Sequence, residues 1–294
     1  MRTPRKWPEA AVWLWLCLGC SDPQSRPAPP GDCNEPSCID VRDGSDPSTT
    51  ISYLVPAPGG GAAGAAGSSG MPPPLATLQG SVRMIVEPDL SGSDPPNAPV
   101  EIHARGADDT VVVGTPASDG GFSMTGVLAQ QETWVGVGAF NELLGNPFMD
   151  TYQAVDSAAG LPVALAVTRR SVMEEIAQTS FLNSPQLLEP SRGHLLLTFV
   201  DDVGVPIDGV TVTFPTADDA SIAYDAGDVY SDALTETSVR GTVVLLNLAA
   251  APYPGSVTSI VATVASQPGR EFRAPLLVSA ATVTLFTLKL DLVP

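Results

Sequence analysis

The sequence predicts an all-β protein: two antiparallel β-sandwich domains behind a disordered tether, with one short connecting helix. Three observations carry that expectation. Beyond residue 76, apolar and polar residues alternate over short stretches, which is the period of a half-buried strand. Gly, Pro and Asp separate these stretches at the spacing of a sandwich. The chain also holds 29 Pro and 27 Gly in 294 residues, a composition that disfavours long uninterrupted helices.

Residues 1–19 read as a secretory signal. Arg2, Arg5 and Lys6 form a basic start, and residues 10–18 are an apolar core too short to span a bilayer. No run of 18 apolar residues occurs, so no conventional membrane-spanning helix is expected. The run Leu16-Cys17-Leu18-Gly19-Cys20 resembles a bacterial lipobox, whose cysteine is diacylated and becomes the new N-terminus. That resemblance implies lipidation at Cys20 and anchoring in the bacterial cell envelope through acyl chains. Ser21 follows the cysteine where Asp would retain an enteric lipoprotein, which favours the outer membrane. Ordinary cleavage near Gly19, giving a secreted protein, is the alternative.

The formal net charge is -18, and removing residues 1–19 leaves 11 basic and 31 acidic side chains, a net of -20. Such acidity argues against nucleic acid as a partner and against adsorption onto anionic headgroups. Residues 20–76 read as a lipidated N-terminus and tether. Within them, residues 56–74 contain five Pro, six Gly and five Ala with no charge, too little apolar surface to offset ordering. About 55 flexible residues would span roughly 40 Å. Ile51 to Val55 is a lone apolar island. Cys33 and Cys38 are the remaining cysteines of the exported chain, and an oxidising compartment favours a disulfide between them. Free thiols or a metal site are the alternatives. The small loop so closed would contribute only about 2 kcal/mol. Asp40, Asp43, Gly44 and Asp46 lack the spacing and glutamate of a calcium loop.

The first sandwich is expected over 77–168. Val82, Met84 and Val86 share one strand face; Val100, Ile102 and Ala104 alternate with Glu101 and His103. Residues 111–113 and 162–168 read as strands, Asp119-Gly120-Gly121 as a turn before Phe122 and Met124, and Trp134, Gly136 and Gly138 as one face opposite Val135 and Val137. A helix is expected in the connecting segment 169–190. Ser171 and Glu174 fit a capping box, and Val172, Met173, Ile176, Ala177 and Phe181 form an apolar stripe. The second sandwich is expected over 191–294, with strands near 193–199, 210–214, 242–248, 257–264, 272–278 and 282–290 and an insertion over 217–239. The two β segments echo one another, as two diverged copies of one domain would.

Gly80-x-Val82, Ala98-Pro99-Val100-x-Ile102, Asp119-Gly120-Gly121-Phe122 and Gly126-Val127 resemble carboxypeptidase regulatory-like domains. The likeness covers roughly 78–140 and extends more weakly to Gly193, Asp202, Gly204, Pro206, Gly209-Val210-x-Val212 and Arg240-Gly241. It implies transthyretin-like, Ig-like seven-stranded sandwiches of mainly non-catalytic character.

Candidate chemistry is sparse. Gly121-Phe122-Ser123-Met124-Thr125-Gly126 misses the spacing of a nucleophile elbow, and Gly136-Val137-Gly138 lacks the third glycine of a dinucleotide loop. His103 and His194 are isolated in sequence. Asp108-Asp109, Asp201-Asp202 and Asp218-Asp219 read as solvated turn residues. Calcium at Asp218, Asp219, Asp225 or Asp228 is a minor alternative, and no transition-metal site or other cofactor is expected. These features point to a non-enzymatic envelope protein that displays β modules to a protein or carbohydrate ligand. The alternative is an accessory unit beside a separate carbohydrate-active enzyme or peptidase. That alternative needs exposed aromatics, for which Trp134, Tyr152, Tyr224 and Tyr230 are the candidates.

Overall fold

The structure is a computed structural model that describes residues 38–41, 74–90, 95–107, 110–130, 133–139, 147–181, 184–214, 220–250 and 255–292. The expected signal segment, Cys20 and Cys33 lie outside the described residues. The chain builds β1 (Cys38–Val41), β2 (Leu75–Ile85), β3 (Glu101–Arg105), β4 (Val111–Gly114), β5 (Gly121–Leu128), β6 (Thr133–Gly138), β7 (Phe148–Val155) and β8 (Val163–Arg169). Helix α1 (Arg170–Thr179) follows, then β9 (Arg192–Val200), β10 (Val210–Thr213), β11 (Ser221–Asp225), β12 (Tyr230–Ser231), β13 (Thr242–Ala249), β14 (Ser256–Val264), β15 (Glu271–Val278) and β16 (Thr282–Leu290).

One strand path crosses both halves of the chain in the order β12-β11-β13-β9-β16-β7-β6-β3-β4, while β10-β14-β15 form a separate sheet. The crossing is made by β16, which runs parallel to β9 from Val283 to Lys289 and parallel to β7 from Thr282 to Leu285. Beyond β7, residues Thr287 to Leu290 of β16 pair in parallel with β1, a strand inside the segment read as tether. Strands β5, β2, β8 and β7 pair in turn and close the first half over the long sheet.

Three apolar clusters follow from this arrangement. In the first half, Ile102, Val135 and Val137 of the long sheet meet Val82, Phe122 and Leu165. In the second, Leu195, Leu197, Phe199, Val243 and Phe286 meet Ile260, Phe272 and Leu276 of the three-stranded sheet. The third cluster is shared by the halves. Val172, Met173, Ile176 and Ala177 of α1 pack against Ile85, Met149 and Ala166 of the first half and Leu196, Val244 and Val283 of the second.

The expected capping box is not formed. Helix α1 begins at Arg170, one residue before Ser171, and Arg169 occupies the N-cap with no side-chain bond. The helix springs directly from β8, and the Arg170 N–H donates to the Pro147 carbonyl at 2.8 Å, so a tertiary contact does part of the work of a cap. Strand β7 was not legible as a strand because seven of its eight residues are buried, leaving no polar alternation. Strands β11 and β12 lie in the expected insertion. Gly80 sits inside β2, where a Cβ would fall 1.8 Å from the Val163 carbonyl oxygen.

The shared cluster makes α1 integral to both halves. Met173→Ala should cost about 2–5 kcal/mol in urea unfolding, as for a fully buried core side chain. A loss under about 1 kcal/mol would contradict this role for the helix.

Candidate functional site

Four of the polar candidates from the sequence, His194, Asp201, Tyr224 and Asp225, are occupied in holding turns, a bulge and a strand edge. The carboxylate of Asp225, fully buried at the end of β11, accepts three backbone N–H bonds: Oδ1 from Ser238 (2.9 Å) and Thr242 (3.0 Å), Oδ2 from Arg240 (3.0 Å). It fixes the turn into β13, leaving little acceptor capacity for calcium. Asp228 is exposed, while Asp218, Asp219, Asp108 and Asp109 lie outside the described residues. Asp201 organises a second turn, its Oδ1 accepting from Val203 N–H (3.0 Å) and Val205 N–H (2.8 Å), with Asp202 exposed beside it. Among the described residues, no group of three or more His, Cys, Asp and Glu side chains could hold a metal ion.

The two histidines are not brought together as a pair. His103 Nε2 lies 2.9 Å from Glu101 on β3. His194 is 1% exposed on β9, and its Nδ1 accepts the Asn247 N–H at 3.2 Å, which places the proton of the neutral ring on Nε2. Among the described residues, Nε2 has no hydrogen-bond partner. Burial, with a smaller contribution from the Arg170 guanidinium, lowers His194 from 6.5 to about 4. Asn247 forms the bulge in β13 with φ 60°. Its side chain accepts from Glu189 N–H (3.0 Å) and donates to the Leu187 carbonyl (2.9 Å), pinning the segment that leads from α1 to β9.

The candidate ligand-facing aromatics do not form a platform. Tyr152, Tyr224 and Tyr230 are 5%, 5% and 3% exposed and belong to the interior. The Tyr224 hydroxyl substitutes for a neighbouring strand at the edge of β10: it accepts from Val212 N–H at 3.0 Å and donates to the Val212 carbonyl at 3.4 Å. Burial raises its phenol above 10.0, against a smaller opposing effect of that bond. Tyr230 is pushed up to about 12 by burial. The nearby Thr242 hydroxyl opposes that shift, yet among the described residues neither hydroxyl reaches hydrogen-bonding geometry with a partner. Trp134 is half-buried and stacks on Phe286 of β16, with centroids 5.5 Å apart and planes 21° apart. Long strands buried on both faces hide this from sequence, because alternation there reports two cores instead of core and solvent.

Ser123 is exposed on β5, and Gly136 and Gly138 lie inside β6, not in a loop. Cys38 opens β1 opposite Thr287. Asn247 carries no motif that the sequence makes visible, Asp201 was expected as a solvated turn residue, and Asp225 was named only in a minor calcium alternative. Only the positions of the backbone donors around them reveal their roles. No helix among the described residues is long and apolar enough to cross a membrane.

No protein-family model and no curated protein matches the chain. Among solved structures, the Bacillus anthracis TIE protein aligns at 9% identity with a TM-score of 0.23, covering 74% of this chain and 34% of its own. A streptococcal ancillary pilin aligns at 8% identity with a TM-score of 0.22, covering 74% of this chain and 68% of its own. The chain thus spans about a third of the length of the first.

The His194 geometry sets a pH dependence. Its folded pKa lies below that of the free imidazole, so the unfolded chain takes up this proton first as pH falls. Its contribution to stability is full above 6.5 and lost progressively between 6.5 and about 4, by up to roughly 3 kcal/mol. His194→Gln should therefore show a flatter dependence of urea-unfolding free energy on pH across that window. Equal slopes in the two proteins would contradict the assignment.

Proposed function

We propose that the protein is a non-enzymatic, lipid-anchored component of the bacterial cell envelope that displays β modules for binding. In this reading Cys20 carries the acyl chains, the outer membrane holds them, and the Pro/Gly/Ala-rich stretch sets the display distance. The folded part consists of two sandwich modules sharing one continuous sheet, with α1 as the packed connector. A Cys33–Cys38 disulfide would fix the chain just ahead of β1.

The observation that carries the binding reading is the use of the reactive groups. His194, Asp225, Asp201 and Tyr224 each spend their lone pairs on backbone donors. A general base or metal ligand needs such lone pairs directed at a substrate or ion. Lines of this kind support a structural scaffold whose surface, not an interior cleft, meets the ligand.

Cys20→Ala tests the anchored display. The wild-type chain should partition into the detergent phase, with an acylated N-terminal Cys20 by mass spectrometry. The variant should remain unprocessed or move to the aqueous phase. An unlipidated wild-type N-terminus with unchanged processing would overturn the reading.

A further inference from the structure

The parallel pairing of β7, β9 and β16 places the ends of these strands at one pole of the molecule. There the chain after β9 turns through residues 201–207, while residues 237–241 lead into β13. The two turns are locked to each other. Gly209 N–H donates to the Thr237 carbonyl, Thr237 N–H to the Val210 carbonyl, and Phe199 N–H to the Gly241 carbonyl. The Thr237 hydroxyl donates to the Ile207 carbonyl at 2.9 Å. Gly241, at φ +61°, lies so close that a Cβ would sit 2.6 Å from the Phe199 carbonyl oxygen. Both turns therefore rise side by side from the level of Phe199, Ile207 and Gly241. Asp201 fixes the backbone of one and Asp225 that of the other.

What these rigid turns present is apolar. Val203, Val205 and Val239 are 65%, 55% and 75% exposed. Aliphatic side chains held exposed on pre-ordered backbone lower the ordering cost of binding a partner. The surround here is acidic: Asp202, Asp208, Asp228 and Glu236 are exposed. Residues 201–239 contain nine Asp and Glu and no Lys or Arg. Arg240, next in the chain, is turned inward, donating to the Gly227 carbonyl at 2.8 Å and to the Asp89 carbonyl. Anionic headgroups and a second copy of this net -18 chain both carry the wrong sign for this surface.

We propose that the paired turns at 201–207 and 237–241 form a docking tip for a protein partner presenting an aliphatic patch flanked by Lys or Arg. The valines form the apolar centre of that contact and the carboxylates its rim, which sets charge preference and association rate. The proposal deepens the binding role above and uses only the folded part of the chain. Its failure would leave lipid anchoring intact, and a failed anchoring test would leave the tip unaffected.

The test uses the full chain carrying Cys20→Ser and three sets of short synthetic peptides: Leu/Lys, Leu/Glu and Ser/Lys. Binding is read by interferometry at low and high salt. The Leu/Lys set should bind best, and more weakly at high salt. A Val203→Ser, Val239→Ser double variant, checked for an unchanged urea midpoint, should lose roughly tenfold or more in affinity. An Asp202→Lys, Glu236→Lys variant should shift preference toward Leu/Glu peptides. Equal binding of all three sets, no binding of the Leu/Lys set, or an unaffected serine variant would overturn the proposal. Valine-dependent capture on phosphatidylcholine vesicles without peptide binding would also overturn it, in favour of a lipid interface.

Discussion

Strand β16 pairs in parallel with β9 on one side and β7 on the other, and this pairing is what makes one molecule of two halves. Although it comes last among the described strands, it lies in the interior of the sheet. Val283, Phe286, Leu288 and Leu290 are nearly fully buried, and their transfer from water contributes on the order of 6–12 kcal/mol as an upper bound. That is comparable with the whole net stability of an ordinary domain. Residues on its opposite faces serve different clusters: Phe286 packs with the three-stranded sheet and Trp134, Val283 with helix α1. Parallel neighbours must come from distant chain segments, so this seam forms only after long loops close.

The same constraint explains the polar interior. A strand path this long leaves turns and edges whose backbone groups need partners within reach. Asp225, Asp201, Asn247, His194 and Tyr224 supply them, each meeting donors the strand ladders leave open. Tyr224 closes the edge of β10, and Asn247 ties the bulge of β13 to the segment after α1. Their chemistry is spent on geometry. At the pole, Asp201 and Asp225 fix the backbone of the turns that carry the exposed valines.

How much of this was readable from sequence depends on burial. Strands with one wet face, such as Glu101–Arg105 and Glu271–Val278, alternate plainly and were expected where they occur. The limits of the final strand, Thr282–Leu290, agree with its sequence pattern. Phe148–Val155 was not anticipated, because both its faces are covered and periodicity vanishes. The apolar stripe of the helix was legible, but its cap was not: Ser171 offered a motif that the strand running straight into Arg170 overrode. Of the candidate site residues, the tyrosines were misleading as surface features. An aromatic in a strand reads alike whether it faces ligand or core, and only pairing in the sheet decides between them.

By this pairing β16 couples the halves into one cooperative unit. Native-state hydrogen exchange of the β7, β9, β13 and β16 amides tests it most directly. These amides should exchange through one common opening at the highest free energy in the molecule, with equal denaturant dependence. Exchange of β7 and β16 through a lower-energy opening that leaves β9 and β13 protected would contradict it.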